Sequence, residues 1–249
     1  GWDGEMGVWG DHQLPGLTKM ATQLNETGTV SLAQIFHGGM RAPQSLNGVQ
    51  PVSASENTEA GMDGLYTREL SHQEVLDMIQ SFTDAAVRCQ KAGFHGVELH
   101  GAHGYLIDNF FWEGTNQRDD TYGGEIDKRT KFACEIIKRA RNEIGRDFPI
   151  AIRFSQWKQQ DYDAKLAHTP KELEKFLMPL VEAGIDVFHA SNRRYWEPEF
   201  EGSDLNLAGW TKKLSGLPTI TVGSVGLKSD FIGLYAGEDA VESAPIDEL

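Results

Sequence analysis

The feature that most constrains the fold of this chain is a regular alternation of short apolar segments with longer amphipathic segments, several of which end at a glycine. Short apolar runs rich in β-branched residues and bounded by Gly or Pro are typical of parallel strands covered on both faces. Five such strands are predicted, at residues 30–36, 96–99, 149–154, 185–190 and 218–222. Strands and helices that alternate in this way predict parallel βα units and an α/β fold class.

Helices are predicted between several of these strands, and their ends carry capping signals. The predicted helices span residues 72–92, 128–144 and 172–183. Ser71 and Glu74 have the spacing of a capping box at the start of the first helix, and Gly93 follows its last residue. Thr169 precedes a Pro170 that suits the first turn of the third helix. The helix boundaries therefore follow from capping chemistry as well as from apolar periodicity.

Parallel βα units build either an open doubly wound sheet or a closed (β/α)8 TIM barrel. No glycine-rich G-x-G-x-x-G turn follows a predicted strand, which argues against a dinucleotide-binding sheet. Polar residues at the carboxyl ends of the strands favour a barrel, because barrels gather their functional residues at that rim. These residues are Gln34, His37, His100, Arg153, His189, Ser191, Gly223 and Ser224. We therefore predict a barrel that forms a single domain over residues 1–249.

The segment from residue 38 to residue 70 interrupts the alternation. It is rich in Gly, Ser, Asn and Pro and shows no sustained periodicity. Irregular segments of this length inside a compact domain are uncommon and are usually functional. We interpret it as a functional segment that crosses the ends of the strands, and not as a linker.

Composition excludes several classes of function. The sequence has 23 basic and 37 acidic residues, so its net charge is 23 − 37 = −14, which argues against nucleic acid as a partner. No apolar run approaches the roughly 20 residues of a membrane span. Two cysteines, Cys89 and Cys134, are too few for a four-thiolate metal or iron–sulfur site and imply no disulfide framework. Since no signal peptide is recognisable, we expect a cytoplasmic protein without membrane partners.

The stretch GVELHGAHGYL, residues 96–106, concentrates polar rings at the end of a predicted strand. His100 ends that strand in our prediction, His103 lies one turn further, and Tyr105 follows. Imidazole N–H groups can donate hydrogen bonds to a ligand oxygen, and the glycines between them let a flat ligand approach. Taken singly, each histidine is also compatible with a hydrogen-bonded core residue, and Tyr105 with a packed aromatic. The three together are more informative than any one of them.

Residues 93–132, which contain this stretch, resemble the old yellow enzyme family of FMN-dependent oxidoreductases. The matching features are His100 and His103, the step at 104–106, residues 116–118, Asp120, residues 122–124 and Arg129. The resemblance extends to residues 34–39, 152–155 and 222–226, and so covers nearly the whole chain. It implies a (β/α)8 TIM barrel of which strands three to seven are recognisable here, whereas the first, second and eighth are not.

The resemblance also implies individual roles. His100 and His103 correspond to the pair that binds the electron-withdrawing oxygen of the substrate. Tyr105 corresponds to the acid that donates a proton to the C=C bond being reduced, a role that suits a phenol because phenols are protonated at neutral pH. Gln34 corresponds to the amide that reads the pyrimidine edge of the flavin. Arg153 corresponds to the cation beside flavin N1 and O2, where negative charge collects on reduction.

Further implied contacts lie in later loops. Gly223 and Ser224 correspond to part of a phosphate cradle made by backbone N–H groups after the seventh strand. Trp196, with Tyr195, is a candidate to line the substrate pocket; an exposed cap or contact surface is the alternative. Without the resemblance, Arg153 is equally compatible with a structural salt bridge, and the residues around Gly223 with an ordinary turn.

A group of charged residues follows Tyr105 in the sequence. Arg118, Asp119, Asp120 and Arg129 could be mistaken for a catalytic cluster. We interpret them instead as a structural network that holds the loop after Tyr105.

The resemblance implies an FMN-dependent reductase of activated C=C bonds, such as those of enones. FMN is the implied cofactor, NADH or NADPH the reductant, and a small molecule the substrate. The family barrel has two strands before the matched region and one after it, so we expect this sequence to be part of a longer protein. Association into a homo-oligomer is left open.

Two other functions stay open at this point. One is a metal-dependent TIM-barrel hydrolase in which His100 and His103 are ligands and His37 or His189 supplies a third. The other is a non-catalytic barrel fragment, which applies if the chain ends are genuine.

Overall fold

The computed structural model describes residues 4–56 and 66–227. The remaining parts of the predicted 1–249 domain lie outside the described residues. The strands are β1 (Leu32–Ile35), β2 (Val52–Ser53), β3 (Arg68–Glu69), β4 (Gly96–His103), β5 (Ile150–Lys158), β6 (Val187–Ser191) and β7 (Thr219–Val222). The helices are α1 (Leu14–Glu26), α2 (Gln44–Asn47), α3 (His72–Ala92), α4 (Leu106–Phe111), α5 (Ile126–Arg129), α6 (Lys131–Ile144), α7 (Pro170–Ala183) and α8 (Leu207–Ser215).

One parallel sheet of five strands, in the order β1-β4-β5-β6-β7, organises the molecule. Strand order follows chain order, whereas a doubly wound sheet reverses its order at a switch point. Right-handed crossovers that all proceed in one direction place every connecting helix on the same face of the sheet. Accordingly, α1, α3, α6, α7 and α8 each pack against the next in that sequence. This singly wound arrangement is that of a barrel segment.

The predicted α/β fold class with a parallel sheet is confirmed. The closed (β/α)8 barrel is not seen in residues 4–56 and 66–227, where β1 and β7 are the edges of the five-stranded sheet and no pairing joins them. The second sheet holds only β2 and β3, which pair in parallel.

Side chains alternate between two environments along the central strands. Val97 and Leu99 of β4 point into the apolar core under the helices, together with Ile152 and Phe154 of β5. Because successive residues of a strand face opposite sides, Glu98 and His100 lie on the other face of the sheet. That face carries the polar residues, and it is opposite the helix layer.

The predicted elements are confirmed, and their boundaries differ in instructive places. The largest difference is in β4, which runs to His103 rather than ending near His100, and pairs with a β5 that runs to Lys158. The Gly-rich segment stays extended because β5 supplies its hydrogen-bonding partners. The helix predicted at 128–144 is observed as α5 and α6, which are separated at Thr130, whose hydroxyl donates to Asp127 O (2.5 Å). Helices α1, α2, α4 and α8 were not predicted.

The irregular segment after β1 contains short elements rather than a long loop alone. It forms a 3-10 turn at Gly39–Arg41, helix α2, and the strand pair β2 and β3; residues 57–65 lie outside the described part. Cys89 and Cys134 are both buried and unpaired in helices. Among the described helices, none is long and apolar enough to cross a membrane.

Helix α3 has the predicted bounds and both predicted caps. Ser71 Oγ accepts a hydrogen bond from Glu74 N (3.3 Å), the Glu74 carboxylate accepts from Ser71 N (2.9 Å), and Gly93 adopts the left-handed conformation with φ of 95°. The capping box therefore satisfies donors that would otherwise lack partners at the first turn.

Replacing Ser71 with Ala should lower the free energy of unfolding by about 1 kcal/mol, because an N-terminal donor of α3 loses its acceptor. Urea denaturation followed by circular dichroism measures this change. Ser81→Ala, within the same helix, is the control and should change stability by less than about 0.5 kcal/mol. Equal losses in the two variants would contradict a specific capping contribution.

Candidate active site

Three polar rings meet at the carboxyl end of β4. The ring centroids of His100 and His103 are 5.1 Å apart, and those of His100 and Tyr105 are 4.9 Å apart. Phe36, which follows β1, packs edge-on against Tyr105 at 5.3 Å. Trp157 of β5 stacks on His103 at 4.6 Å. The structure therefore brings His100, His103 and Tyr105 together as the sequence predicted, and adds an aromatic wall on either side of them.

A change in backbone direction between β4 and α4 produces this convergence. His103 has φ of 63° and Gly104 has φ of 84°, so two successive residues are left-handed. The pairing of β4 with β5 also shifts register between Gly101 and His103, and such bulges re-aim side chains. His103 N donates to Ser155 Oγ (3.1 Å), which fixes the turn.

Arg153 lies beside the histidines on the neighbouring strand. It is in register with His100 on β4 and with His189 on β6. Its Nη2 donates to Ser191 Oγ (3.1 Å), the same hydroxyl that lies 2.8 Å from His103 Nε2. Ser191 thus links Arg153, which is predicted to lie beside the flavin, to His103, which is predicted to bind the substrate.

Burial keeps both histidines neutral. It lowers the pKa of His100 to about 4, and the positive charge of Arg153 acts in the same direction. It lowers the pKa of His103 to about 2, with further contributions from His100 and Arg153. The two side chains belong to residues that are 6% and 7% exposed. At neutral pH they are therefore neutral imidazoles, which act as hydrogen-bonding groups rather than as cations.

Side chains of β1, β4 and β6 form a row of hydrogen bonds across the sheet, centred on Glu98. Gln34 Nε2 donates to Glu98 Oε1 (2.5 Å), and His189 Nδ1 lies 2.7 Å from Glu98 Oε2. Burial raises the pKa of Glu98, but the hydrogen bond and charge of His189, together with Gln34 and Arg153, outweigh it and lower the pKa overall. An ionised carboxylate only accepts hydrogen bonds, so Gln34 and His189 must both donate to it.

Glu98 was missed in the sequence analysis. A carboxylate inside an otherwise apolar strand is costly to bury without partners, and that signal was available in the sequence. Trp157 was missed as well, and Ser155 was given no role, because residues 155–158 follow the predicted end of β5.

The turn after β7 holds the two residues predicted to contact phosphate. Gly223 has φ of 115°, and a Cβ there would lie 2.7 Å from Asn192 O, so only glycine fits. Ser224 is also left-handed, with φ of 56°, and is buried. Trp196 is 43% exposed and packs edge-on against Tyr195. Within the described residues no ring contact joins Trp196 to the histidines, and its predicted role stays a prediction.

Arg118 and Arg129 have structural partners, in line with their interpretation from the sequence as part of a structural network. Arg118 forms a bidentate pair with Asp120 (3.0 and 2.7 Å) and donates to two backbone carbonyls, those of Ala54 and Leu70. Arg129 donates to the carbonyls of Phe111 and Gly124. Asp119 is exposed and contributes only its charge to Arg118. The network ties the loop after α4 to the segments around β2 and β3.

The alternative function, a metal-dependent hydrolase, requires a set of metal ligands, and the described part of the chain contains none. No group of three or more His, Cys, Asp or Glu side chains lies close enough to hold a metal ion there. His37 accepts a hydrogen bond from Gly39 N (3.1 Å), and His189 pairs with Glu98. Neither therefore completes a ligand trio with His100 and His103.

The ring cluster thus lies at the carboxyl edge of a singly wound parallel α/β sheet. The family model described as NADH:flavin oxidoreductase / NADH oxidase matches residues 1–238. The chain belongs to this family. The predicted family is thereby confirmed, and the family's name agrees with the predicted flavin and reduced nicotinamide.

Two curated relatives show how much of a longer protein the chain resembles. An NADH oxidase of Thermoanaerobacter brockii is 38% identical over 224 residues, which are 86% of this chain and 34% of that protein. An NADH:fumarate oxidoreductase of Klebsiella pneumoniae is 37% identical over 193 residues, which are 76% of this chain and 20% of that protein. The chain thus spans 34% and 20% of the lengths of these two relatives.

The fold itself is shared with a solved structure. An old yellow enzyme homologue from Zymomonas mobilis superimposes with a TM-score of 0.75 at 22% identity, covering 97% of this chain and 76% of that chain. At this level of identity the likeness establishes the fold.

The buried histidines make the stability of the protein dependent on pH. His103 binds a proton near pH 2 when folded but near its ordinary pKa of 6.5 when unfolded. As pH falls below 6.5 the unfolded state gains protons first, so stability decreases. Between pH 7 and pH 5, His103→Gln should remove about 2 kcal/mol of this pH-dependent loss.

Urea denaturation of wild type and variant at the two pH values measures the difference. His168→Gln, at an exposed position, is the control and should leave the pH dependence unchanged. An identical loss in wild type and His103→Gln would show that His103 is protonated in the folded state or is not buried there.

Proposed function

We propose that this chain is the flavin-binding barrel of an FMN-dependent oxidoreductase that reduces activated C=C bonds, with NADH or NADPH as reductant. The observation that supports it most is that the ring centroids of His103 and Tyr105 lie 5.1 and 4.9 Å from that of His100, beside the cation Arg153. A closed (β/α)8 barrel is part of the proposal, since the sheet is wound in a single direction and, within residues 4–56 and 66–227, its edge strands β1 and β7 each pair on one side only.

The residues present fit a flavin. Arg153 Nε is buried with no hydrogen-bond partner among the described residues, and a buried cationic donor favours an anionic acceptor. The negative charge that collects on the pyrimidine end of a reduced flavin is such an acceptor. The Nε2 of Gln34 donates to Glu98, so in this proposal its side-chain carbonyl oxygen accepts a hydrogen bond from an N–H group of the flavin. At Gly223 the absence of a side chain lets the backbone of Asn192 and Arg193 pack against the turn, and backbone N–H groups of this turn would hold the phosphate.

The proposed substrates are small α,β-unsaturated carbonyl compounds. Neutral imidazoles can each donate one N–H hydrogen bond, and His100 Nδ1 is buried without a partner in the described part of the protein. A carbonyl or carboxylate oxygen between His100 and His103 would satisfy such donors. One relative is named for fumarate, which is an alkene conjugated to carboxylates.

The residues have separate tasks in the proposed reaction. His100 and His103 hold the substrate oxygen and withdraw electron density from the C=C bond. Bound FMN would supply the hydride for the β-carbon, after accepting it from NADH or NADPH. Tyr105 gives its phenolic proton to the α-carbon and regains a proton from solvent. Phe36 and Trp157 flank the rings and exclude water from one side each.

Other parts of the proposal concern the surroundings of the enzyme. We infer a cytoplasmic location and a small-molecule substrate, with no nucleic acid or membrane partner. The acidic net charge of −14 supports the absence of nucleic acid from this set.

Arg153→Met should raise the dissociation constant for FMN by about 10-fold to 100-fold, because a charge-assisted hydrogen bond is worth roughly 1.5–3 kcal/mol. Titration calorimetry with the FMN-depleted protein measures it. The control is Arg146→Met, at an exposed position after α6. Unchanged affinity in Arg153→Met would remove this residue from the cofactor site, and no FMN binding by the wild type would end the proposal.

Tyr105→Phe should slow the reduction of an enone by about 100-fold, because the reaction loses its general acid. Reduction of the flavin by NADH or NADPH should change by less than about twofold, since that step needs no proton from Tyr105. Anaerobic stopped-flow spectroscopy follows the two steps separately. Tyr66→Phe, at an exposed position, is the control; equal slowing of both steps in Tyr105→Phe would contradict its role as proton donor.

A further inference from the structure

A fully buried ion pair lies directly behind the candidate active site. Lys158 Nζ, at the end of β5, donates to Asp108 Oδ1 of α4 (2.7 Å), and both side chains have 0% exposure. Lys158 Nζ also donates to Ser155 O (3.1 Å). Burying two charges costs more in lost hydration than an apolar pair would, so stability alone gives no reason for this pair.

The carboxylate of Asp108 is also bound to the turn that leads into α4. Its Oδ2 accepts a hydrogen bond from Gly104 N (2.7 Å). The carbonyl group of Gly104 is also bound, because Asn109 Nδ2 donates to Gly104 O (2.9 Å). Both polar backbone groups of Gly104 are therefore held by side chains of α4, and one of these is fixed in place by Lys158.

The turn needs to be held because it is left-handed at two successive residues. His103, with φ of 63°, is not a glycine, and L-residues occupy this conformation only when the surrounding structure enforces it. Its N–H is captured by Ser155 Oγ (3.1 Å), three residues before Lys158. The end of β5 thus contacts both halves of the turn, directly through Ser155 and indirectly through Asp108.

Tyr105 is the residue that immediately follows this turn. It is the N-cap of α4, so the direction of the turn determines where the phenol lies. Its ring stands 4.9 Å from that of His100, which belongs to the regular part of β4 before the turn. A change in the turn would therefore move Tyr105 and His103 relative to His100 while leaving His100 in place.

We propose that Lys158 and Asp108 are positioning residues that hold the left-handed turn at His103 and Gly104 and so fix Tyr105 and His103 relative to His100. In this proposal the pair, whose side chains are fully buried, acts through the turn and not by contact with substrate or cofactor. The effect expected on enone reduction rests on the proposed function, whereas the effect expected on the distance between the rings of Tyr105 and His100 does not.

The test uses Asp108→Asn combined with Lys158→Met in the full protein, which removes both charges and leaves neither unpaired. The nuclear Overhauser effect between the rings of Tyr105 and His100, measured without FMN on selectively labelled protein, should weaken at least twofold. In the FMN-bound protein, enone reduction should slow at least 10-fold, while flavin reduction by NADH should change by less than threefold. Arg88→Met with Asp11→Asn removes an ion pair between the 3-10 turn before α1 and helix α3, and is the matched control.

An unchanged ring contact in the folded double variant would overturn the proposal, as would equal slowing of both kinetic steps. If the double variant does not fold, Ser155→Ala removes the acceptor of the His103 N–H without creating a charge, and the same weakening of the ring contact is expected. An unchanged contact there would overturn the proposal too. Failure of the wild type to bind FMN would refute the proposed function but leave the ring measurement as a valid test of positioning.

Discussion

The constraint on which the rest of the structure depends is the alternation of side chains along β4 and β5. Val97 and Leu99 enter the core under the helices, and the residues between and after them, Glu98 and His100, are thereby committed to the opposite face. Because β5 pairs with β4 in parallel register, Arg153 falls beside His100. The core and the candidate site are thus two sides of the same pairing, and a shift of one residue would exchange them.

The polar face is stabilised as one electrostatic unit. Glu98 is an anion on a face that also carries the cation Arg153, and it accepts hydrogen bonds from Gln34 on one side and His189 on the other. Two neutral histidines lie next to this unit and are kept neutral by burial and by Arg153. The sheet therefore presents fixed polar and charged groups from β1 to β6, and groups placed in this way can set the orientation of a bound ligand.

Much of this arrangement could be predicted from local chemistry. The Ser71 and Gly93 caps define α3 because capping depends on neighbouring residues alone. The end of β4 could not be predicted, because its glycine-rich part is extended only through pairing with β5. Lys158 lies in a polar stretch that has the composition of a loop, and its complete burial depends on Asp108, 50 residues earlier. Asn206 and Gly216 cap α8, and both are local signals from which that helix is predictable.

The parts of the candidate site differ in how far along the chain they must be gathered. The ring cluster draws on residues 100–105, whereas Gln34 and Glu98 are 64 residues apart and Glu98 and His189 are 91 apart. Closing a longer loop costs more chain entropy. Assembly of the His100 and Tyr105 pair therefore adds little to that cost once β4 and β5 have paired. The contacts of Glu98 form only when β1, β4 and β6 are all in place, so their order depends on most of the sheet.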